Sequence, residues 1–170
     1  MIQNSLSTDR LNLEKLTPSD YDFIKSLVNS KGWIDNIGDR NIHSKNDALE
    51  FINKILETED FFYWVVRIKD TNTPIGIISF LKRSYLENFD IGFAFLPYFT
   101  NNGYAFEAAN AVLSMVSNLP EFNIVLATTL HSNKSSIKLL TKLGFAFEKE
   151  IEIENVKWNI FTKSRPGISK

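Results

Sequence analysis

The 170-residue sequence contains no cysteine, which excludes disulfide bonds, thiolate zinc sites and acyl-cysteine intermediates. It also lacks an excess of one charge, because 19 basic residues face 20 acidic ones and the formal net charge is −1. This balance argues against the broad basic surface that binds nucleic acid. The two histidines, His43 and His131, are far apart in sequence. We expect each imidazole to be hydrogen-bonded rather than to bind a metal ion.

Long apolar runs are missing as well. No run approaches the roughly 18 residues that a membrane-spanning helix needs, so we expect no contact with a membrane. Residues 1–9 are polar and lack the apolar core of a signal peptide, which favours a cytoplasmic location. Hydrophobic residues nevertheless make up 44% of the chain and include 14 phenylalanines, enough for one substantial core. We therefore expect a single domain over residues 1–170, with a structured core at 9–163.

Hydrophobic periodicity predicts a mixed α/β sheet protein of about seven strands in the order β-α-α-β-β-β-α-β-α-β-β. We expect a first strand near residues 9–16 and a loop at 30–43. The apolar run at 89–96 predicts a central strand that is buried on both faces. Helices are predicted at 18–29, from Ser44 to about Leu56, from about Gly103, and from Ser132 or Asn133 to Gly144. The remaining strands are predicted at 61–69, 75–81, 124–130, 145–154 and 156–163.

The most informative segment follows the predicted central strand. The strand ends at Leu96, a short polar loop turns, and an amphipathic helix begins near Gly103. Free N–H groups at a helix start, together with the helix dipole, favour an anion there. Gly103 has no Cβ, so a phosphate can approach the backbone closely. By itself, the segment is equally consistent with an ordinary turn between a strand and a helix.

Other segments add to this pattern. Residues 103–108 read Gly-Tyr-Ala-Phe-Glu-Ala, and Asn133 and Ser136 open a later helix that ends in Leu143-Gly144-Phe145. Residues 8–13 read Thr-Asp-Arg-Leu-Asn-Leu. Together these segments resemble, in order and over nearly the whole chain, the GCN5-related N-acetyltransferase (GNAT) superfamily. The likeness is greatest to the branch that includes the ribosomal-protein N-terminal acetyltransferases.

The resemblance implies that the strands ending at Leu96 and Leu130 splay apart and form a cleft for acetyl-CoA, the co-substrate. The pantetheine arm would add to the exposed backbone of the first strand, as in β-augmentation. The implied cofactor-binding residues are Phe95 and Leu96 through their main chains, the diphosphate loop Thr100, Asn101, Asn102, Gly103, Tyr104 and Ala105, and Asn133 and Ser136. Thr100 stands where the family carries Gln or Arg. Since a charged hydrogen bond is worth roughly 1.5–3 kcal/mol, we expect weaker CoA binding than in members with that donor.

Transfer of an acetyl group to an amine requires the neutral amine, and a general base helps to provide it. Asp90, in an otherwise apolar strand, is the first candidate base, and a carboxylate paired with a surface cation is the alternative. Glu107 is the second candidate, although an acid near a helix start also interacts favourably with the dipole. Ser136 is the candidate acid that protonates the leaving thiolate.

The acceptor is the open question. The resemblance implies direct transfer to a primary amine, such as a protein N-terminus. A small-molecule amine (polyamine, antibiotic or metabolite) and a non-catalytic acyl-CoA sensor are the alternatives. In this fold residues 33–40 border the acceptor side, so Trp33 is expected to form a wall and Asp39 to hold a cation. A packed loop accounts for the same residues equally well. A homodimer is compatible with the sequence.

Overall fold

A computed structural model describes residues 1–165, which form five α-helices and one eight-stranded sheet. The strands are β1 Ser5–Ser7, β2 Leu11–Lys15, β3 Phe61–Ile68, β4 Pro74–Leu81, β5 Asp90–Phe95, β6 Ile124–Leu130, β7 Ala146–Ile153 and β8 Val156–Ser164. The helices are α1 Tyr21–Val28, α2 Lys31–Ile37, α3 Lys45–Glu57, α4 Tyr104–Ser117 and α5 Lys134–Lys142. The spatial order of the sheet is β1-β2-β3-β4-β5-β6-β8-β7. None of the helices in residues 1–165 has the length and apolar character needed to cross a membrane.

The predicted mixed α/β fold is confirmed, with two local corrections. The strand expected near residues 9–16 is present as β2, but a further strand, β1, precedes it: the chain turns between Thr8 and Leu11, and β1 pairs antiparallel with β2. This raises the strand count from about seven to eight. The loop expected at 30–43 contains α2. Ser30 caps that helix by accepting a hydrogen bond from the Trp33 N–H at 3.4 Å, and the buried Trp33 side chain anchors it.

The sheet is covered on both faces, and each layer has its own apolar cluster. On one face, α4 and α5 pack over a core that includes Trp64, Ile78 and Phe80. On the other face, α1 to α3 pack over a cluster that includes Val65 and Ile77. Adjacent residues along β3 and β4 thus point into different layers, as expected for strands with alternating side chains.

The centre of the sheet opens between β5 and β6. Strand β5 pairs with β4 along its length, from Asp90 opposite Leu81 to Phe95 opposite Gly76. Its parallel pairing with β6 is confined to Asp90 opposite Leu126. The two strands diverge beyond that pair, which confirms the splayed central strands expected from the sequence. The opening widens toward the carboxyl ends of both strands, where α4 and α5 begin.

Candidate active site

The divergence of the two strands leaves part of the β5 backbone facing an open gap. On the β4 side, the Leu96 N–H donates to the Ile75 carbonyl at 2.9 Å. On the β6 side, the Phe89 carbonyl accepts from the Leu126 N–H at 2.9 Å. Since main-chain groups of successive residues alternate between the two sides, those of Phe93 and Phe95 face β6, beyond the point where pairing ends. An extended ligand can therefore pair with this edge.

The predicted main-chain contacts from Phe95 and Leu96 accordingly have different outcomes. Phe95 faces the gap. Both main-chain groups of Leu96 are used inside the protein, because its N–H binds Ile75 and its carbonyl accepts from the Phe99 N–H at 3.0 Å. The amide predicted at Leu96 is therefore not free to bind a ligand in this structure. Phe93 was not among the residues predicted from the sequence, because the alternation shows which residues face the gap only after one of them is known.

At the wide end of the gap, the start of α4 presents uncapped amides. The intrahelical bonds begin with the Glu107 N–H, which donates to the Gly103 carbonyl at 3.0 Å. The N–H groups of Tyr104, Ala105 and Phe106 precede this bond. Within the described residues no side chain caps the helix, whose N-cap is Gly103 in the left-handed region with φ of 81°. Such a helix start attracts an anion, so the donors here fit a diphosphate.

The polar loop before α4 is held in shape by its own side chains. The Thr100 hydroxyl donates to the Pro97 carbonyl at 2.8 Å, and the Asn102 side-chain amide donates to the Thr100 carbonyl at 3.0 Å. Asn101 adopts a positive φ of 63°. These contacts hold residues 97–102 in one turn directly before the start of α4, and the Thr100 hydroxyl is used within that turn.

The start of α5 lies at the same edge of the sheet, because β5 and β6 are parallel and a helix follows each of them. Asn133 caps α5, since its side-chain oxygen accepts from the Ser136 N–H at 3.1 Å. The side-chain amide nitrogen of Asn133 is the group that remains as a donor. Ser136 is half-buried one turn into the helix. The fold thus brings Asn133 and Ser136 to one side of the gap and the residues 100–105 to the other.

Asp90 lies at the narrow end of the gap, in its pair with β6. Its carboxylate is only 1% exposed, and both of its oxygens accept from Nε of Arg83 at 3.0 Å. The Thr128 hydroxyl on β6 also donates to it, at 3.4 Å. Burial raises the pKa of Asp90, and the charge and hydrogen bonds of Arg83 oppose this only in part. This carboxyl group therefore keeps a proton to higher pH than an ordinary aspartate.

Polar groups missed by the sequence analysis lie on the same face of the sheet as Asp90. Tyr63, Ser79 and Gly92 stand opposite one another in register on β3, β4 and β5. A Cβ on Gly92 would lie 2.6 Å from the Ser79 hydroxyl, so this glycine lets the two strands pack closely there. Burial raises the pKa of Tyr63, which stays protonated and can donate a hydrogen bond. No local pattern marks these residues, because they converge only through strand pairing.

Glu107 has a different environment. Its carboxylate accepts from the Thr8 hydroxyl at 2.6 Å, from the Arg10 N–H at 2.9 Å and from Arg10 Nε at 2.7 Å. Although partial burial works against it, these hydrogen bonds lower the pKa of Glu107. The carboxylate is thus a stable anion that joins α4 to the turn between β1 and β2.

The two predicted acceptor residues lie on and after α2, a helix that contacts β5. Trp33 is 5% exposed and packs in the cluster beneath α1 to α3. Its indole N–H is buried without a hydrogen-bond partner among the described residues. Asp39 is exposed, and its side chain accepts from the Asn41 N–H at 2.8 Å. In this structure Trp33 fills the core and Asp39 stabilises a turn.

Comparison with known proteins identifies the family. The sequence profile described as "Acetyltransferase (GNAT) domain" matches residues 10–146, a range that holds the gap and both helix starts. The chain belongs to the GNAT acetyltransferase family. It is 30% identical over 122 residues to the uncharacterized N-acetyltransferase YnaD of Bacillus subtilis, covering 69% of this chain and 71% of YnaD.

Two solved structures show the same GNAT fold. One is the microcin C7 self-immunity acetyltransferase MccE in complex with acetyl-CoA and AMP, with a TM-score of 0.80, 18% identity, and coverage of 92% of this chain and 93% of that one. The other is the ribosomal-protein-S5-alanine acetyltransferase of Vibrio fischeri, with a TM-score of 0.74 and 16% identity. That match covers 99% of this GNAT chain and 100% of its neighbour. Family membership makes the protein an acetyltransferase.

Proposed function

We propose that this protein moves the acetyl group of acetyl-CoA directly to a primary amine. The observation that carries the proposal is the gap between β5 and β6, together with the uncapped start of α4, the helix that follows β5 at the wide end of that gap. The main chains of Phe93 and Phe95 would bind the pantetheine arm along the gap. The amides of residues 100–105 would bind the diphosphate, and Asn133 would donate a hydrogen bond from the opposite side.

Asp90 is the proposed general base, acting directly or through water. Acetyl transfer forms a bond from the amine nitrogen to the acetyl carbon and breaks the bond from that carbon to sulfur. The amine proton passes to Asp90, which releases it to solvent, and the thiolate takes a proton from solvent, either directly or through the Ser136 hydroxyl, which takes up one proton as it gives up another. A base works best when its pKa lies near the working pH, and the burial that raises the pKa of Asp90 moves it in that direction. Arg83 and Thr128 orient the carboxylate.

We infer that the acceptor is an α-amine, such as a protein N-terminus. At pH 7 neutralising an N-terminal amine of pKa near 8 costs about 1 kcal/mol, whereas a lysine-like amine of pKa near 10.4 costs about 4.6 kcal/mol. A single carboxylate that is already paired with a cation is better matched to the amine that costs less free energy to neutralise. The similar fold of a ribosomal-protein-alanine acetyltransferase is compatible with this acceptor. A small-molecule amine is the alternative, and turnover with a panel of amines separates the two.

The decisive experiment measures release of free CoA from acetyl-CoA in the presence of a panel of amines. The panel contains peptides that begin with Ala, Ser or Thr, the same peptides with blocked N-termini, polyamines and aminoglycosides. We expect turnover with the free peptides alone. Turnover with polyamines or aminoglycosides instead would show that the acceptor is a small-molecule amine. If acetyl-CoA stabilises the protein against heat and no amine yields free CoA, the protein is a sensor. If CoA fails to bind at millimolar concentration, the proposal is refuted.

A further inference from the structure

Arg10 lies in the turn between β1 and β2, and its side chain extends to the start of α4. Its Nε donates to the Glu107 carboxylate at 2.7 Å, and its Nη1 donates to the Asn102 carbonyl at 3.1 Å. The guanidinium carbon lies 4.5 Å from the centroid of the Tyr104 ring. One side chain thus contacts the polar loop, the first residue of the helix and a residue one turn further on.

The same guanidinium packs against the N-cap. A Cβ placed on Gly103 would lie 3.4 Å from Arg10 Nη2. Arg10 therefore lies directly beside the residue whose positive φ turns the chain into α4. A planar guanidinium offers donors in a fixed arrangement, so it can bind a loop carbonyl and a helix carboxylate at once. A flexible point charge such as an ammonium has no such geometry.

The partner of Arg10 is itself well anchored. Glu107 accepts two further hydrogen bonds, from the Thr8 hydroxyl and the Arg10 main chain, and its side chain is 19% exposed. The guanidinium side chain is 47% exposed, so the ion pair as such contributes little to stability. The contact instead fixes the geometry of the loop, because it joins the Asn102 carbonyl to the anchored carboxylate of Glu107 on α4.

We propose that Arg10 is a positioning residue that holds the amides of residues 101–105 in the arrangement that binds the CoA diphosphate, an inference that rests on the proposed function. Arg10 acts through the Asn102 carbonyl and Glu107. Loss of the guanidinium frees the loop and weakens binding of ligands that carry the diphosphate. Binding of the pantetheine arm along β5 does not depend on it.

The test compares wild type with Arg10→Gln in two titrations, one with CoA and one with pantetheine, which lacks the diphosphate. We expect the Kd for CoA to rise roughly tenfold, because binding must then order the loop without the hydrogen bond that held it. The Kd for pantetheine should change less than about twofold. Amide hydrogen exchange at residues 101–105 should become faster in the variant. Lys157→Gln, which removes an exposed ion pair to Glu150 on the β7–β8 hairpin, is the matched control.

An unchanged Kd for CoA in a folded Arg10→Gln variant overturns the proposal. An equal rise in the Kd for CoA and for pantetheine also overturns it, since that result indicates general damage to the fold. If Arg10→Gln does not fold, Arg10→Lys decides the question, because the ammonium keeps the charge but cannot bridge Asn102 and Glu107 in the same way. A wild-type Kd for CoA in Arg10→Lys overturns the proposal, and a raised one supports it. If the wild-type protein binds no CoA, the proposed function itself is overturned. This outcome differs from failure of the Arg10 proposal, in which the wild-type protein still binds CoA.

Discussion

Replacement of Asp90 by Asn tests the centre of the proposed chemistry. The two side chains have nearly the same shape, so the amide oxygen can still accept from Arg83 and Thr128. The substitution removes the negative charge and the ability to take a proton. Asp90 lies in the gap's narrow end, far along β5 from the loop at residues 100–105 that is proposed to bind the diphosphate. CoA binding should therefore be unaffected.

The expected fall in kcat follows from the proposed role of Asp90 as general base. General bases contribute about 10²- to 10⁴-fold, so kcat should fall by that factor, or about 2.7–5.4 kcal/mol of barrier. Removal of one partner of a fully buried ion pair costs about 3–5 kcal/mol of stability. Here the raised pKa of Asp90 means that folding disfavours the ionised carboxyl group, and Arg83 keeps 34% of its side chain exposed to water, so we expect the neutral Asn variant to lose less stability than this.

The pH dependence has opposite signs for activity and stability. Because burial raises the pKa of Asp90 in the folded protein above that in the unfolded chain, the folded state binds this proton more tightly. The contribution to stability is thus fully present below the unfolded pKa and is lost as the pH rises through the folded pKa. Activity rises over the same range, since the base must be ionised. Asp90→Asn should abolish both dependences.

Three measurements check this prediction: the pH–rate profile, the Kd for CoA, and the free energy of unfolding in urea at several pH values. Asp70→Asn, an exposed carboxylate in the turn between β3 and β4, serves as the matched control. A folded Asp90→Asn variant with unchanged kcat and an unchanged acidic limb in the profile would refute the role of Asp90 as base. A parallel loss of CoA binding would show that the carboxylate supports the fold instead.

Three further predictions concern the loop and the gap. Thr100→Arg should lower the Kd for CoA roughly tenfold to a hundredfold by adding a charged donor, as measured by titration, and equal or weaker binding contradicts this reasoning. Gly103→Ala should strain the left-handed N-cap by about 1–2 kcal/mol and raise the Kd for CoA, and a variant with wild-type stability and affinity would argue against the strain. Gly76→Ala should lower the free energy of unfolding by about 1–3 kcal/mol, because its Cβ would clash with the Phe95 ring, lying 2.6 Å from Cγ of Phe95, and would lie 2.7 Å from the Ala94 carbonyl oxygen. An unchanged urea midpoint would contradict it.

Local sequence was sufficient for the elements that depend on neighbouring residues. Ser44 and Asn133 cap α3 and α5 as expected, because a capping side chain bonds to a main-chain group three residues away. The final hairpin turns at Glu154 and Asn155, which both have positive φ. The resemblance to GNAT proteins likewise followed from short motifs in the right order. The segment with α2 was the exception. Its glycines and asparagines are typical of a loop, whereas the helix that forms there depends on burial of Trp33.

Tertiary structure alone decided the surroundings of each candidate group. Arg10 and Glu107 are 97 residues apart in the chain, and Asp90 and Thr128 are 38 apart, so no local pattern could pair them. Whether Phe93 or Leu96 offers its amide to the gap depends on which neighbouring strand each residue faces. The pKa of Asp90 rises because packing removes water from its carboxyl group. Local propensity selects helices and strands, whereas the chemistry of a site depends on contacts between distant residues that form only when the sheet assembles.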